Sequence, residues 1–296
     1  MKLYRKVSTT LVMFAVTVNF ALAQDISEYV SKYTSENGKG YLQPLGDAFG
    51  ANLNSGFYHS ANIPMVGLHV DIELVTMSAL IGDDQKAFTA TTEDLFSPAQ
   101  TVEAPTIFGS SEGASVDGTG GTSYDFPPGF NMTMLPIAAP QLTVGSLFGS
   151  DITIRWVDLD LGENWGRLSL TGWGIRHSIS QYIPLFPVDV AVGFYRQSFK
   201  VGDIVDANAT FLSAQASITR GIFTIYGGLG TESSNLDIAY TFEDAEISQT
   251  VSFELKAENS VRMTVGFALN AGPLMLHTDF NIASQKVLVL GIGVGI

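Results

Sequence analysis

The chain has 296 residues, of which 46% are hydrophobic and 15% charged, with 29 acidic against 15 basic side chains and a net charge of −14. That balance argues against nucleic acid as a partner, because phosphate binding needs clustered cations. There is no cysteine, which removes disulfides, thiol catalysis and thiolate metal sites together.

In chain order, the first segment is a leader. Lys2, Arg5 and Lys6 precede the apolar run "LVMFAVTVNFALA", which ends in small residues at Ala21 and Ala23. A basic start, a short apolar core and a small-residue site make residues 1–23 a secretory signal peptide. Its apolar run is shorter than the ~20 residues a spanning helix needs. Residues 24–62 follow as a helical segment that either plugs a barrel or sits in the periplasm. In "DISEYVSKYTSE", Ile26, Tyr29, Val30 and Tyr33 share one helical stripe. "QPLGDAFGANL" opens with Pro44 at a first helical turn and stacks Leu45 on Phe49.

Residues 63–296 carry the barrel signal. In "MVGLHVDIELVTM", Val66, Leu68, Val70, Ile72 and Leu74 take one parity, and His69, Asp71 and Glu73 take the other. A strand sends successive side chains to opposite faces, so an aliphatic stripe lies back to back with a charged one. The alternation recurs in "VDVAVGFYRQ", "TFLSAQASIT", "VRMTVGFALN", "LMLHTDFNIAS" and "VLVLGIGVGI". High hydrophobicity without long apolar runs beyond the leader is what lipid-facing strands produce. Strands in hydrocarbon must pair every backbone group, so the sheet must close. The expected fold is all-β: a transmembrane antiparallel β-barrel of roughly 12 strands, within about 10–14, with a short helical N-terminal plug. Tight turns near Ser150, Gly221 and Pro273 mark one end of it.

Residues 82–140 interrupt the pattern as a long extracellular loop holding six of the eleven prolines. Such a length is beyond an ordinary connection. Its end, "DFPPGFNMTMLPIAAP", supplies Phe126, Phe130, Met132, Met134 and Leu135 as candidates for contacting a hydrophobic ligand or capping the rim.

For chemistry, His69, Asp71 and Glu73 are successive residues of one strand face, about 6.6 Å apart. The expectation is a polar ladder in the lumen facing Arg155 or Arg262, with His277 and Asp279 repeating the spacing near the closing seam. Neither metal nor cofactor is expected there. His177 beside Ser178 lacks a third member for a hydrolase triad, so no enzymatic activity is expected either.

The ordered pieces "QPLGDAFGANLNSGFYHSA", "PTIFGSSEG", "APQLTVGSLFGSDITIRW", "GWGIRHSISQYIPLFPVDVAVGF" and "YGGLGTESSNLDIAY" resemble an uncharacterised family of predicted outer-membrane barrels of Bacteroidota-type bacteria. More distantly, the layout is similar to the long-chain fatty-acid outer-membrane transporter group. The plug-like segment and the apolar stretch of the long loop point to a barrel passing or binding small hydrophobic molecules; the alternative is a structural or surface-interaction barrel without transport. The implied partners are outer-membrane lipid, a small hydrophobic ligand and the barrel-assembly machinery, at the bacterial outer membrane.

Overall fold

The computed structural model describes residue 33 and residues 35–93, 96–162, 166–183, 187–244 and 247–296. The expected signal peptide and the plug candidates Ile26, Tyr29 and Val30 lie outside the described residues.

Helix α1 spans Ser35–Leu53. The strands that follow are β1 (His69–Leu80), β2 (Ala87–Thr91), β3 (Thr101–Pro105), β4 (Ala114–Asp117), β5 (Ser123–Phe126), β6 (Met134–Leu147), β7 (Ser150–Asp160) and β8 (Arg167–Ser178). Then come β9 (Asp189–Val201), β10 (Val205–Arg220), β11 (Phe223–Asp244), β12 (Ile247–Lys256), β13 (Val261–Ala271), β14 (Leu274–Ile282) and β15 (Lys286–Gly295). No helix among the described residues is long and apolar enough to cross a membrane.

Ten strands close a ring in the order β1-β6-β7-β8-β9-β10-β11-β13-β14-β15, with β15 pairing back on β1. Every step is antiparallel, and the count lies within the expected range. β11 is long enough to serve two partners: its first part pairs with β13, and the part from Asn235 onward pairs with β12. β12 is therefore an extra strand standing above the ring. The tight turns at one end use Gly149, Gly221 and Gly272 at positive φ, where a side chain would be strained. At the other end, two small hairpins within residues 82–133, β2–β3 and β4–β5, cap the barrel. β6 already begins at Met134, so Met134 and Leu135 are wall residues and not part of a free loop.

Polarity inverts partway up the wall. Near the turn end, the outer face is aliphatic and aromatic, with Ile152, Ile154, Trp173, Ile175, Leu212 and Val265 exposed. Nearer the cap, the outer face becomes polar, as at Ser198 and Lys200 on β9 and Asp206, Asn208 and Thr210 on β10. The inner face runs the opposite way. It is charged near the turn end, with Asp151 and Arg176 buried, and apolar near the cap, with Val75, Met77, Leu168, Leu170, Leu236 and Val287 buried. The turn-end half has the surface of a barrel immersed in hydrocarbon, and the cap-end half has the pattern of a water-exposed barrel around a greasy core.

That core is completed by the plug. α1 enters from the cap end: Asn37 exchanges hydrogen bonds with the backbone of Thr91, donating to its carbonyl at 2.7 Å and accepting from its N–H at 3.1 Å. The helix then runs down the lumen, and residues 54–62 continue as irregular, bending chain before turning out into β1. The helix starts at Ser35, not at Pro44, which sits inside it. Proline and the glycines at 38 and 40 are poor helix formers, so the surroundings hold the helix. A Cβ on Gly38 would collide with the Phe253 ring, and one on Gly40 with the Phe88 ring.

Candidate functional site

The site is the lumen itself, where plug and wall meet in three layers. In the apolar layer next to the cap, Leu45 and Phe49 pack against the core cluster, and the Phe49 ring lies 4.8 Å from Phe199. The Tyr33 ring lies tilted against Tyr41 at 5.5 Å and Phe126 at 6.3 Å. Burial pushes the Tyr33 hydroxyl pKa above its ordinary value, reinforced by Tyr124 and the Glu93 carboxylate. The cap is stitched to the helix by backbone: Ile107 N–H donates to the Tyr41 carbonyl at 3.1 Å, and the Tyr41 hydroxyl donates to Pro128 at 2.9 Å. Phe130 and Met132 pack against this cluster, while Met134 is exposed on the outer wall. Leu135 points inward, and its carbonyl accepts from Asn52 of the helix at 2.7 Å.

The middle layer is where the helix ends. A helix leaves its last carbonyls without partners and carries partial negative charge there. Here the wall supplies the donors. Arg262 donates to the Ala51 carbonyl at 2.9 Å and to the Ser55 hydroxyl. Arg155 donates to the Ser55 carbonyl at 2.8 Å, and Gln197 donates to the Leu53 carbonyl. Gly56, at φ +73°, lets the chain leave the helix. Arg262 is paired with Glu232 at 2.8 Å. The Arg155 guanidinium lies 4.0 Å over the Phe57 ring, and it also donates to Gln141 at 2.8 Å. Gln141 in turn donates to Glu73 at 3.1 Å.

The third layer lies toward the turn end. Arg176 is paired with Asp151 and donates to the Ser60 carbonyl of the plug at 2.6 Å. His69 sits 3.8 Å from Asp151 and 3.1 Å from the Ser146 hydroxyl. Asp71 is half-buried on the same inward parity. Tyr226 donates to Asp279 at 2.9 Å, and Asn281 donates to the same carboxylate at 2.6 Å.

The ladder of His69, Asp71 and Glu73 therefore faces the lumen, but its partners differ from those the sequence suggests. Glu73 reaches Arg155 only through Gln141, and Arg262 belongs to Glu232. The sequence reading missed Glu232, Asp151, Arg176 and Gln197. Each sits on the inward parity of an alternating strand, which was the signal that could have found it. It also missed His59, which lies 3.4 Å from Glu73, as does His277 on the other side.

Comparison with solved structures finds the translocator domain of autotransporter NalP from Neisseria meningitidis at 10% identity, covering 78% of this chain and 88% of that one, with a TM-score of 0.31. A mutant Rh. blastica porin matches at 11% identity over 78% of this chain and 99% of that one, with a TM-score of 0.17. No curated protein matches the chain. A family model does match, over residues 1–296, so the chain belongs to the family of unknown function DUF6588.

Proposed function

We propose that the protein is an outer-membrane barrel sealed by its own plug, acting without catalysis as a structural or surface-interaction module that displays the folded cap. The observation that carries this reading is the wiring of the helix end. The carbonyls of Ala51, Leu53 and Ser55 are each held by a buried wall side chain, from Arg262, Gln197 and Arg155. Withdrawing the plug would leave one donor of each of these buried side chains without its carbonyl partner, and each buried polar group so orphaned costs about 1–3 kcal/mol. A plug held this way suits a permanent seal. The aliphatic belt suits outer-membrane lipid, reached through the barrel-assembly machinery after export by the leader read in residues 1–23.

A second reading is passage of small hydrophobic molecules, and one observation favours it. If α1 left, the cap-end lumen would be an apolar chamber walled by Val75, Met77, Leu168 and Leu170. Tethering the plug separates the two. A Cβ at position 50 would lie 3.5 Å from the Ala257 Cβ, within disulfide reach. Gly50→Cys with Ala257→Cys, plus Ser234→Gly to clear the intervening hydroxymethyl, would lock the plug in a chain that has no cysteine of its own. The sealed reading expects low conductance in a planar bilayer and no uptake of a fluorescent long-chain fatty acid, whether the tether is reduced or oxidised. Uptake by the reduced form that stops on oxidation would replace it with the transport reading.

A further inference from the structure

Three chain segments, one of them remote in sequence from the other two, bring a His, a Glu and a second His to one point of the lumen. His59 comes from the plug, Glu73 from β1 and His277 from β14, which flanks the β1–β15 closing seam. His59 Nδ1 and His277 Nε2 each lie 3.4 Å from Glu73 Oε1. All three candidate donor atoms fall within 4.8 Å of one another, and the two imidazole rings stack with centroids 5.2 Å apart. Beyond the 3.4 Å contacts within this trio, neither Glu73 Oε1 nor His277 Nε2 has a hydrogen-bond partner among the described residues. Both side chains are about 99% buried, and a buried polar atom left unsatisfied is costly.

The other atoms of the same side chains are fixed. Glu73 Oε2 accepts from Gln141, which is itself held by Arg155. His277 Nδ1 lies 3.4 Å from the Tyr226 hydroxyl, and that hydroxyl donates to Asp279. A proton on Nδ1 therefore serves this chain and leaves the Nε2 lone pair turned toward Glu73. Ligating histidines are ordinarily oriented in this way, with the second ring nitrogen engaged behind them. The wall also keeps space for them. A Cβ on Gly291 would collide with His277 Nε2, and one on Gly293 would come within 2.6 Å of Glu73 Cγ.

Two nitrogens and one carboxylate oxygen suit a borderline divalent ion, and His₂Glu sets with an open fourth position hold zinc. Bonds of about 2.0–2.1 Å at tetrahedral angles separate neighbouring donor atoms by about 3.4 Å, the distance each histidine nitrogen has from Glu73. His59 keeps 12% of its side chain accessible, which gives an ion a way in.

We propose that His59, Glu73 and His277 bind one divalent first-row transition ion, zinc by preference, which fastens the plug to the strands around the barrel seam. This assignment replaces the expectation of a metal-free lumen. It stands apart from the sealed-barrel reading, since a sealed or a transporting barrel could carry such a clasp.

The test uses the full chain in detergent, stripped with chelator and titrated with zinc chloride, and in parallel with cobalt(II) chloride. About one equivalent of zinc per chain is expected, together with intense visible cobalt bands of a four-coordinate site. His59→Ala should weaken zinc binding by about tenfold or more, whereas His69→Gln combined with His177→Gln should leave it unchanged. Zinc well below one equivalent, binding unaffected by His59→Ala, or binding lost in the His69/His177 variant would each overturn the proposal. His277→Ala risks misfolding, so the decision rests on the unsubstituted chain and on His59, which lies outside the strands.

Discussion

Arg262 on β13 lies 2.8 Å from Glu232 on β11, and the same nitrogen donates to the Ala51 carbonyl of α1 at 2.9 Å. One guanidinium thus joins two neighbouring wall strands to the end of the plug. Arg262→Met leaves Glu232 as an uncompensated buried charge and an uncapped helix, so folding should weaken by about 3–5 kcal/mol. Arg262→Met together with Glu232→Gln should recover part of that loss. Urea unfolding followed by tryptophan fluorescence measures both, and a double variant no more stable than the single one would show that the pair is not coupled.

The belt makes a second prediction. Val192 and Val265 are exposed on the outer face. Arginine at either should hinder insertion by about 2–4 kcal/mol at the midplane and less near the interfaces. Asn208→Arg, on the same outer face nearer the cap, should cost little, because that part of the wall is already polar. Heat-modifiable mobility on gels reports the folded fraction. Equal sensitivity at all three positions would contradict the inversion of polarity along the wall.

The cap hangs on a side chain that mimics a strand. Asn37 both donates to and accepts from the backbone of Thr91, so Asn37→Ala leaves the edge of β2 without partners at a cost of about 1–3 kcal/mol. The expected result is faster chymotrypsin cleavage within residues 82–133 while the barrel core stays resistant. Unchanged cleavage would mean that the cap is held elsewhere.

Gly291 carries a fourth prediction. Its absent side chain is the space that His277 Nε2 occupies, so Gly291→Ala should overpack the seam by about 1–3 kcal/mol. It should also displace His277 and lower zinc uptake. Gly272→Ala is the comparison: nothing lies near its Cβ position, and its penalty comes only from φ +62°. Zinc uptake should survive that change, and equal loss in both variants would remove His277 from the account.

The period-two alternation made the barrel legible, and it fixed which face of each strand meets the lumen. What stayed hidden was the change of sign halfway along. Val75, Met77 and Ala79 continue the parity of Glu73, so the strand still alternates while its apolar side switches from lipid to core. A fixed rule of aliphatic-out cannot detect that switch. The true start of α1 was hidden for a different reason. Gly38, Gly40 and Pro44 argue against helix locally, and only the enclosing wall overrides them. His59 was invisible because it lies in a stretch without periodicity, and its neighbours come from the two ends of the barrel.

The route of the plug also sets an order of assembly. The chain enters at the cap, runs down inside the ring and emerges at the turn end to become β1, whose edge then pairs with β15. If the ring shut first, a folded helix would have to thread a finished pore from one end. The easier course is for the sheet to curl around α1 and for the β1–β15 seam to join last. Contacts between segments so distant in sequence form slowly, because closing a long loop costs entropy before any pairing repays it. Helix α1 is thus the mandrel on which the cylinder that follows it is wound, and the final zipping of β1 to β15 is the step at which the ring becomes topologically complete.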